Sequence, residues 1–335
     1  MEEDGRSATP RRQQPAPEPG RQLVAAPKDY FLGPVFAAAK QTGPREVVIG
    51  HHRYLIGGFH PMRPDFHPPA LDVRHARAIF ALLSFRDRAQ DTRLIRFSFN
   101  EFCRTYAKTN GGRYAGAIKR IVADLLDAYI RVTDLRTNTF HQYRLIERVD
   151  IEGRPTRRHD AALAQDNQAE IWFNGATLSP EFAGLLGRIA ELQHLNLAVF
   201  TSIRSPLAQA VYLYLPSRAH HHTQENPFEI AISKLLQQVS FPVPRHKSLR
   251  KKLFCQHQER GRSILQQLDG LETLSGRFRL ALAETSDGAD WKLLTWVERQ
   301  RRVPRSGAAK ISCSRPASLS ARLRQPMAMC RRRVL

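Results

Sequence analysis

Residues 98–148 read SFNEFCRTYAKTNGGRYAGAIKRIVADLLDAYIRVTDLRTNTFHQYRLIER. Ser98 followed three positions later by Glu101 forms a capping box, which predicts a helix over Phe99–Ala107. Asn110-Gly111-Gly112 supplies a turn. Stepping about 100° per residue from Arg113 places Tyr114, Ile118, Ile121, Val122, Leu125, Leu126 and Tyr129 on one side of a second helix. Arg113, Gly116, Ala117, Lys119, Arg120 and Ala123 fall on the other side. The apolar half anchors this helix to a core, while small residues between the cations let its outer half approach another surface closely. Tyr129–Val132 and Tyr143–Ile146 then have the β-branched and aromatic content of strands. They are joined by a polar stretch that includes Arg136, Asn138 and His141. Helix, helix, strand, wing, strand is the order of a module that offers one helix to a DNA groove and one hairpin to the backbone beside it. The alternative is an ordinary α+β domain whose exposed helix face is merely basic.

A similar order recurs downstream without residue identity. Phe228, Ile230, Ile232, Leu235, Leu236 and Val239 outline a helix. Phe241-Pro242-Val243-Pro244 breaks it, and a helix from about Arg245 to Gln256 follows. A further helix over Glu259–Leu271 carries Ile264, Leu265, Leu268 and Leu271 on a narrow apolar stripe, with Arg262 and Gln266 pointing away from it. Arg277–Ala283 and Trp291–Val297 read as strands joined by the turn Glu284–Asp290. Between Arg245 and Arg262 stand Arg245, Lys247, Arg250, Lys251, Lys252, Arg260 and Arg262 against the single acid Glu259. Such an excess displaces counterions from a phosphate backbone and gives affinity that falls steeply with salt.

The whole chain has 52 Lys and Arg against 31 Asp and Glu. Ten of those cations lie in residues 301–335, which hold no acid, so 42 against 31 remain for the first 300 residues and the folded part is still basic. That balance favours nucleic acid or an anionic surface. No apolar run is long enough to span a bilayer, and Met1-Glu-Glu-Asp4 does not open a signal peptide, so a cytoplasmic protein that does not enter the membrane is expected. The four cysteines, Cys103, Cys255, Cys313 and Cys330, show no metal-ligand spacing and read as reduced thiols.

The predicted architecture is α+β, with two tandem winged helix-turn-helix domains between disordered termini. Residues 1–27 form a disordered arm, 28–152 the first domain, 169–300 the second, and 301–335 a basic disordered tail. In the first domain, Tyr30–Ala39 is a candidate short helix, Glu46–Ile49 with Tyr54–Ile56 a hairpin, and Leu71–Phe85 a helix. Gly153–Gln168, polar and without apolar period, is the predicted linker.

Ser205-Pro206-Leu207-Ala208-Gln209-Ala210-Val211-Tyr212-Leu213-Tyr214-Leu215-Pro216-Ser217-Arg218 is a Ser-capped helix with Pro in its first turn and a Tyr/Leu-rich core face. With the tandem order around it, this segment resembles the plasmid replication initiator proteins that bind repeated origin sites. The resemblance covers about residues 71–300. It implies a pair of winged-helix domains, one dimerising or contacting the backbone and the other reading bases in origin direct repeats of double-stranded DNA. It also implies DNA melting, recruitment of a host replication initiator and helicase, homodimer formation, and no catalysis by the initiator itself. The Arg-rich tail and a histidine run depart from the family pattern.

Arg113, Lys119 and Arg120 are assigned as groove or phosphate contacts of the first domain, and Arg136 and Arg144 as wing contacts. Arg245, Lys247, Arg250, Lys251, Lys252, Arg262 and Gln266 are assigned to the second. Arg grips guanine and Gln grips adenine through paired hydrogen bonds, so Arg262 and Gln266 are the base-reading candidates.

Catalytic chemistry finds little footing. His220-His221-His222 has the spacing of a metal-holding pair, but its middle residue is polar and it follows Pro216 in a predicted loop. His51, His52, His60 and His67 stand between prolines and glycines, as loop residues do. Gly112–Lys119 has the wrong spacing for a phosphate loop. No enzyme activity, metal or cofactor is therefore expected. The competing functions are a winged-helix transcriptional regulator acting as an autorepressor, and a structural binder whose tail does most of the binding.

Overall fold

The computed structural model describes residues 23–27, 35–39, 44–57, 70–86, 93–107, 115–154, 170–188, 192–256, 262–273 and 276–299. In chain order the elements of the first half are β1 (Leu23–Pro27), β2 (Arg45–Ile49), β3 (His52–Ile56), α1 (Val73–Ser84), β4 (Leu94–Arg96), α2 (Phe99–Ala107) and α3 (Ala115–Asp127). They continue with β5 (Tyr129–Asp134), β6 (Thr139–Arg144), β7 (Ile146–Arg154) and β8 (Glu170–Leu178). The second half has α4 (Pro180–Gly187), β9 (Leu192–Asn196), α5 (Leu197–Ser202), α6 (Pro206–Ala219), β10 (Phe228–Ala231) and α7 (Ile232–Gln238). It ends with α8 (Lys247–Cys255), α9 (Ile264–Leu268), β11 (Arg277–Glu284) and β12 (Trp291–Glu298).

Local chemistry explains the segment around Ser98. The Glu101 N–H donates to Ser98 Oγ at 3.2 Å and the Ser98 N–H donates to Glu101 Oε2 at 3.0 Å, which closes the capping box and starts α2. Phe99, Phe102, Cys103 and Tyr106 are buried on one face of α2, as Ile118, Ile121, Val122 and Leu125 are on α3. Gly116, Ala117, Arg120 and Ala123 are exposed on the opposite side of α3. β5 and β6 pair antiparallel from Tyr129↔Arg144 to Asp134↔Thr139. Asn138 closes the turn between them at φ 53°, a left-handed position that Asn tolerates.

The predicted hairpin before α1 is present as β2 and β3, and β3 extends onto β5 to give a sheet in the order β2-β3-β5-β6. Residues 35–39 are not helical, which corrects the helix expected over Tyr30–Ala39; residues 30–34 lie outside the described set. The backbone of Ala37 instead bonds across to Leu71 and Val73, at 3.0 and 3.1 Å.

Domain boundaries differ from the sequence expectation. β8 pairs along β7 and β4 in the order β4-β8-β7, so Glu170–Leu178 belongs with the first module and Gly153–Gln168 does not divide two domains. β1 pairs with β9, with Val24 and Ala26 buried, so residues 23–27 are not part of a disordered arm. Both pairings are non-local, and hydrogen bonding to a distant strand leaves no periodic trace in a short segment. Residues 1–22, 155–169 and 301–335 lie outside the described set, as do the predicted turn Asn110–Gly112 and Arg113.

In the second half, Phe228–Ala231 is a strand, not the start of a helix. It pairs with β12 from Phe228↔Thr295 to Ala231↔Lys292, and this tertiary pairing overrides helical spacing that begins properly only at Ile232. The sheet order is β10-β12-β11. The helix expected from Glu259 is described only over Ile264–Leu268; it ends at Asp269, and Gly270 follows at φ 75°.

One core runs through both halves. α6 is buried all round from Leu207 to Leu215, as a central helix must be. Ring contacts run from Phe36 to Phe80 (6.1 Å), Phe80 to Phe200 (5.8 Å), Phe200 to Tyr212 (6.3 Å) and Tyr212 to Phe278 (6.3 Å). The two modules expected from the sequence therefore share one core. No described helix is long and apolar enough to cross a membrane.

Candidate nucleic-acid interface

In the first module, α3 presents Arg120 exposed and Lys119 half-exposed beside Gly116, Ala117 and Ala123. α3 is docked to α1 through His75, whose side chain is 2% exposed and whose Nε2 lies 3.1 Å from Asp124 Oδ2. Its Nδ1 is 3.0 Å from both the Asp72 N–H and Asp72 Oδ1. In the hairpin beside α3, the exposed Arg136 is tethered locally: its N–H donates to Asp134 Oδ1 at 2.8 Å and its guanidinium lies 3.5 Å from Asp134 Oδ2. Arg144 lies over the Tyr129 ring, 4.5 Å from its centroid, and donates to the Tyr129 hydroxyl. Of the two arginines assigned to the wing, Arg136 reaches into solvent and Arg144 packs on the Tyr129 ring. Arg131, absent from the sequence assignment, lies 5.0 Å from the centroid of the Phe140 ring, a side chain 64% exposed.

The second module divides its cations into two groups. Arg250 is committed internally: its Nε donates to Asp290 Oδ1 at 2.7 Å, and its terminal nitrogens donate to the carbonyls of Pro244, Arg245 and Ala289 at 3.0, 3.2 and 2.9 Å. The two side chains of this pair are only 12% and 10% exposed. Asp290 also accepts from the N–H groups of Ser233 at 3.0 Å and Trp291 at 2.8 Å. Burial pushes its carboxyl upward, but hydrogen bonds from Ser233, Trp291 and Arg250 outweigh that and hold it below the ordinary carboxylate value. Lys247 Nζ donates to Glu284 Oε1 at 2.6 Å and to the Gly288 carbonyl at 2.7 Å. Arg250 is thus a brace between α8 and the β11–β12 turn, and not an outward contact; Lys247 is partly neutralised by the same turn. The carboxylates responsible sit in the turn Glu284–Asp290, beyond the reach of local sequence reading.

Arg245, Lys251 and Lys252 are exposed, with Lys251 Nζ 3.9 Å from the centroid of the Trp291 ring. Arg262 is exposed immediately before Ser263. Gln266 is exposed, but its Oε1 accepts from the Ser263 N–H at 3.0 Å, completing a capping box on α9. An adenine contact by Gln266 would compete with that bond.

The overall architecture has a solved counterpart. No protein-family model and no curated protein matches the sequence. A selenomethionine derivative of domains 2 and 3 of RctB superposes with a TM-score of 0.53 at 12% identity, covering 82% of this chain and 99% of that one. The chain shares its fold with RctB domains 2 and 3. A second structure of the same RctB domains gives a TM-score of 0.45 at 13% identity over 81% of this chain and 96% of that one. The Pi initiator protein in complex with iteron DNA gives 0.41 at 12% identity over 67% and 89%. At this identity the likeness to RctB is one of architecture and transfers no residue roles.

Other clusters offer less. The His220 and His221 rings are 3.6 Å apart, yet among the described residues no group of three or more His, Cys, Asp or Glu side chains could hold a metal; His60 and His67 lie outside that set. Burial pushes the Cys103 thiol up to about 11, and Cys255 is free and exposed; Cys313 and Cys330 are outside the described residues.

Proposed function

We propose that this chain is a replication initiator that binds repeated origin sites in double-stranded DNA through two tandem winged-helix modules, and that it recruits a host replication initiator and helicase without catalysing a reaction itself. The observation that carries the reading is the outer face of α3, where Arg120 and Lys119 stand among Gly116, Ala117 and Ala123 over a buried apolar back, with the β5–β6 hairpin following directly. A helix so built enters a groove without steric obstruction while its cations meet phosphates. The second half repeats strands and helices in a comparable order, with Arg245, Lys251 and Lys252 outward. The resemblance of Ser205–Arg218 to plasmid initiators and the fold shared with RctB domains support the same reading.

Footprinting the full chain on fragments flanking its own coding region, at several salt concentrations, tests the proposal. Protection of short direct repeats beside an AT-rich stretch is expected. Protection of an inverted repeat at a promoter, or none anywhere, overturns it; the first outcome would favour an autorepressor.

A further inference from the structure

One side chain ties together two stretches of the second module that are far apart in sequence. Gln267 Oε1 accepts from the N–H of Arg204 at 3.2 Å and of Ser205 at 3.1 Å, while Gln267 Nε2 donates to the carbonyl of Arg262 at 3.2 Å. Each stretch carries the same dipeptide, an arginine followed by a helix-capping serine. Ser205 Oγ accepts from the Ala208 N–H at 3.4 Å at the start of α6, and Ser263 Oγ accepts from the Gln266 N–H at 3.2 Å at the start of α9. The backbones of Arg204 and Arg262 are therefore fixed one carboxamide apart by bonds on both sides. Arg204 and Arg262 are both exposed, and neither guanidinium has an ion-pair partner among the described residues.

The turn of this module's hairpin offers no free cation. It contains Glu284, Asp287 and Asp290, and it is bonded to α8 through Lys247 and Arg250. Hydrogen bonds from Thr285 and the Ala289 N–H hold the Asp287 carboxyl below its ordinary value, so it stays ionised near neutral pH. Glu284 and Asp290 are taken up by Lys247 and Arg250, so among the described residues Asp287 is the carboxylate left without a cation there, and the turn brings no positive charge of its own to a phosphate backbone.

We infer that Arg204 and Arg262, paired by Gln267, form the phosphate clamp of the second module, supplying the positive charge that its hairpin turn lacks. The inference rests on the DNA-binding reading above and specifies where that module grips the backbone. It moves Arg262 from the base edge expected from sequence to the phosphates, and it adds Arg204, which sequence reasoning passed over because its partner stretch lies 63 residues away.

Phosphate contacts carry no sequence information, so their loss acts on all duplexes alike. The test is the affinity of full-length wild type, Arg204→Ala, Gln267→Ala and the double variant for a direct-repeat duplex and for an unrelated duplex of equal length, across a salt series. Arg204→Ala is expected to weaken both by a similar factor, about fivefold or more, and to reduce the salt slope by about one. Gln267→Ala should weaken both as well, and the double variant should lose less than the product of the two single losses, since both act through one arrangement. Unchanged urea midpoints for Arg204→Ala, an exposed side chain, separate these losses from unfolding. Affinity within twofold of wild type on both duplexes overturns the clamp, and loss confined to the direct-repeat duplex overturns the phosphate assignment. A wild-type chain that binds neither duplex overturns the initiator reading and the clamp with it.

Discussion

His75 Nε2 and Asp124 Oδ2 meet at 3.1 Å and join the start of α1 to the last turn of α3. Burial presses the imidazole toward its neutral form, but hydrogen bonds to Asp124 and Asp72 and the charge of both carboxylates prevail, and its pKa rises above the ordinary 6.5. On protonation Nδ1 exchanges the bond it accepts from the Asp72 N–H for one it donates to the Asp72 carboxylate. A group whose folded pKa is raised contributes its stability in full below the unfolded value and loses it as pH rises through the folded value. Asp124→Asn is therefore expected to cost about 1 kcal/mol near pH 6 and distinctly less at pH 8.5. Urea unfolding of both proteins at the two pH values measures this, and an equal cost at both would mean that the link is not ionic.

The Arg250–Asp290 pair makes a larger demand. With Arg250→Ala, Asp290 keeps its bonds to Ser233 and Trp291 but loses the guanidinium that pairs with it in a site that is about nine-tenths covered, and α8 loses its tie to three carbonyls. Removing one member of such a pair leaves an uncompensated charge, and a loss of about 3 kcal/mol is expected. Denaturant midpoints report it directly. A loss below about 1 kcal/mol would return Arg250 to the set of outward cations.

Gly276 opens β11 at φ 144°, and a Cβ built there would stand 2.3 Å from the Glu298 carbonyl oxygen. Gly276→Ala cannot be accommodated without parting β11 from β12, so destabilisation of about 2 kcal/mol or more is expected. A thermal midpoint within 2 °C of wild type would contradict the close approach.

What could be read from the sequence follows the range of the interactions. The buried faces of α2 and α3, the capping box of Ser98 and Glu101, and the β11–β12 hairpin all depend on neighbours within a few positions, and they lie where periodicity and turn chemistry place them; the β5–β6 hairpin forms too, but its second strand is Thr139–Arg144 instead of Tyr143–Ile146, so most of the expected polar wing is paired strand and Ile146 begins β7. Strand β10 was hidden because Phe228, Ile230 and Ile232 fit either period, and the partner that decides between them, β12, lies far along the chain. Strand β1 was hidden for the same reason, its partner being β9. At the interface, counting cations overstates what faces outward. Lys247 and Arg250 belong to a dense basic run, yet their carboxylates enter from positions 37 and 40 residues away. Gln266 stands three positions after Ser263, the same capping-box spacing as Glu101 after Ser98, so its bond to the Ser263 N–H was legible in the sequence although the residue is also exposed.

Comparing Lys247 with Lys252 turns that distinction into a measurement. Both are exposed lysines on α8, but Lys247 Nζ is bonded to Glu284 and the Gly288 carbonyl, whereas Lys252 has no ion-pair partner among the described residues. A cation already facing a carboxylate contributes little net charge toward DNA, and one facing solvent displaces about one counterion when it meets a phosphate. Lys252→Ala is therefore expected to reduce the slope of log affinity against log salt by about one and to weaken binding to every duplex alike. Lys247→Ala should leave the slope within about 0.3 of wild type and cost at most about 1 kcal/mol of stability, as an exposed pair does. Titrations of full-length protein against one duplex between about 50 and 200 mM salt resolve the two slopes. If Lys247→Ala changes the slope as much as Lys252→Ala, the Glu284 contact gives way on DNA binding, and the β11–β12 turn does not hold α8 in the bound state.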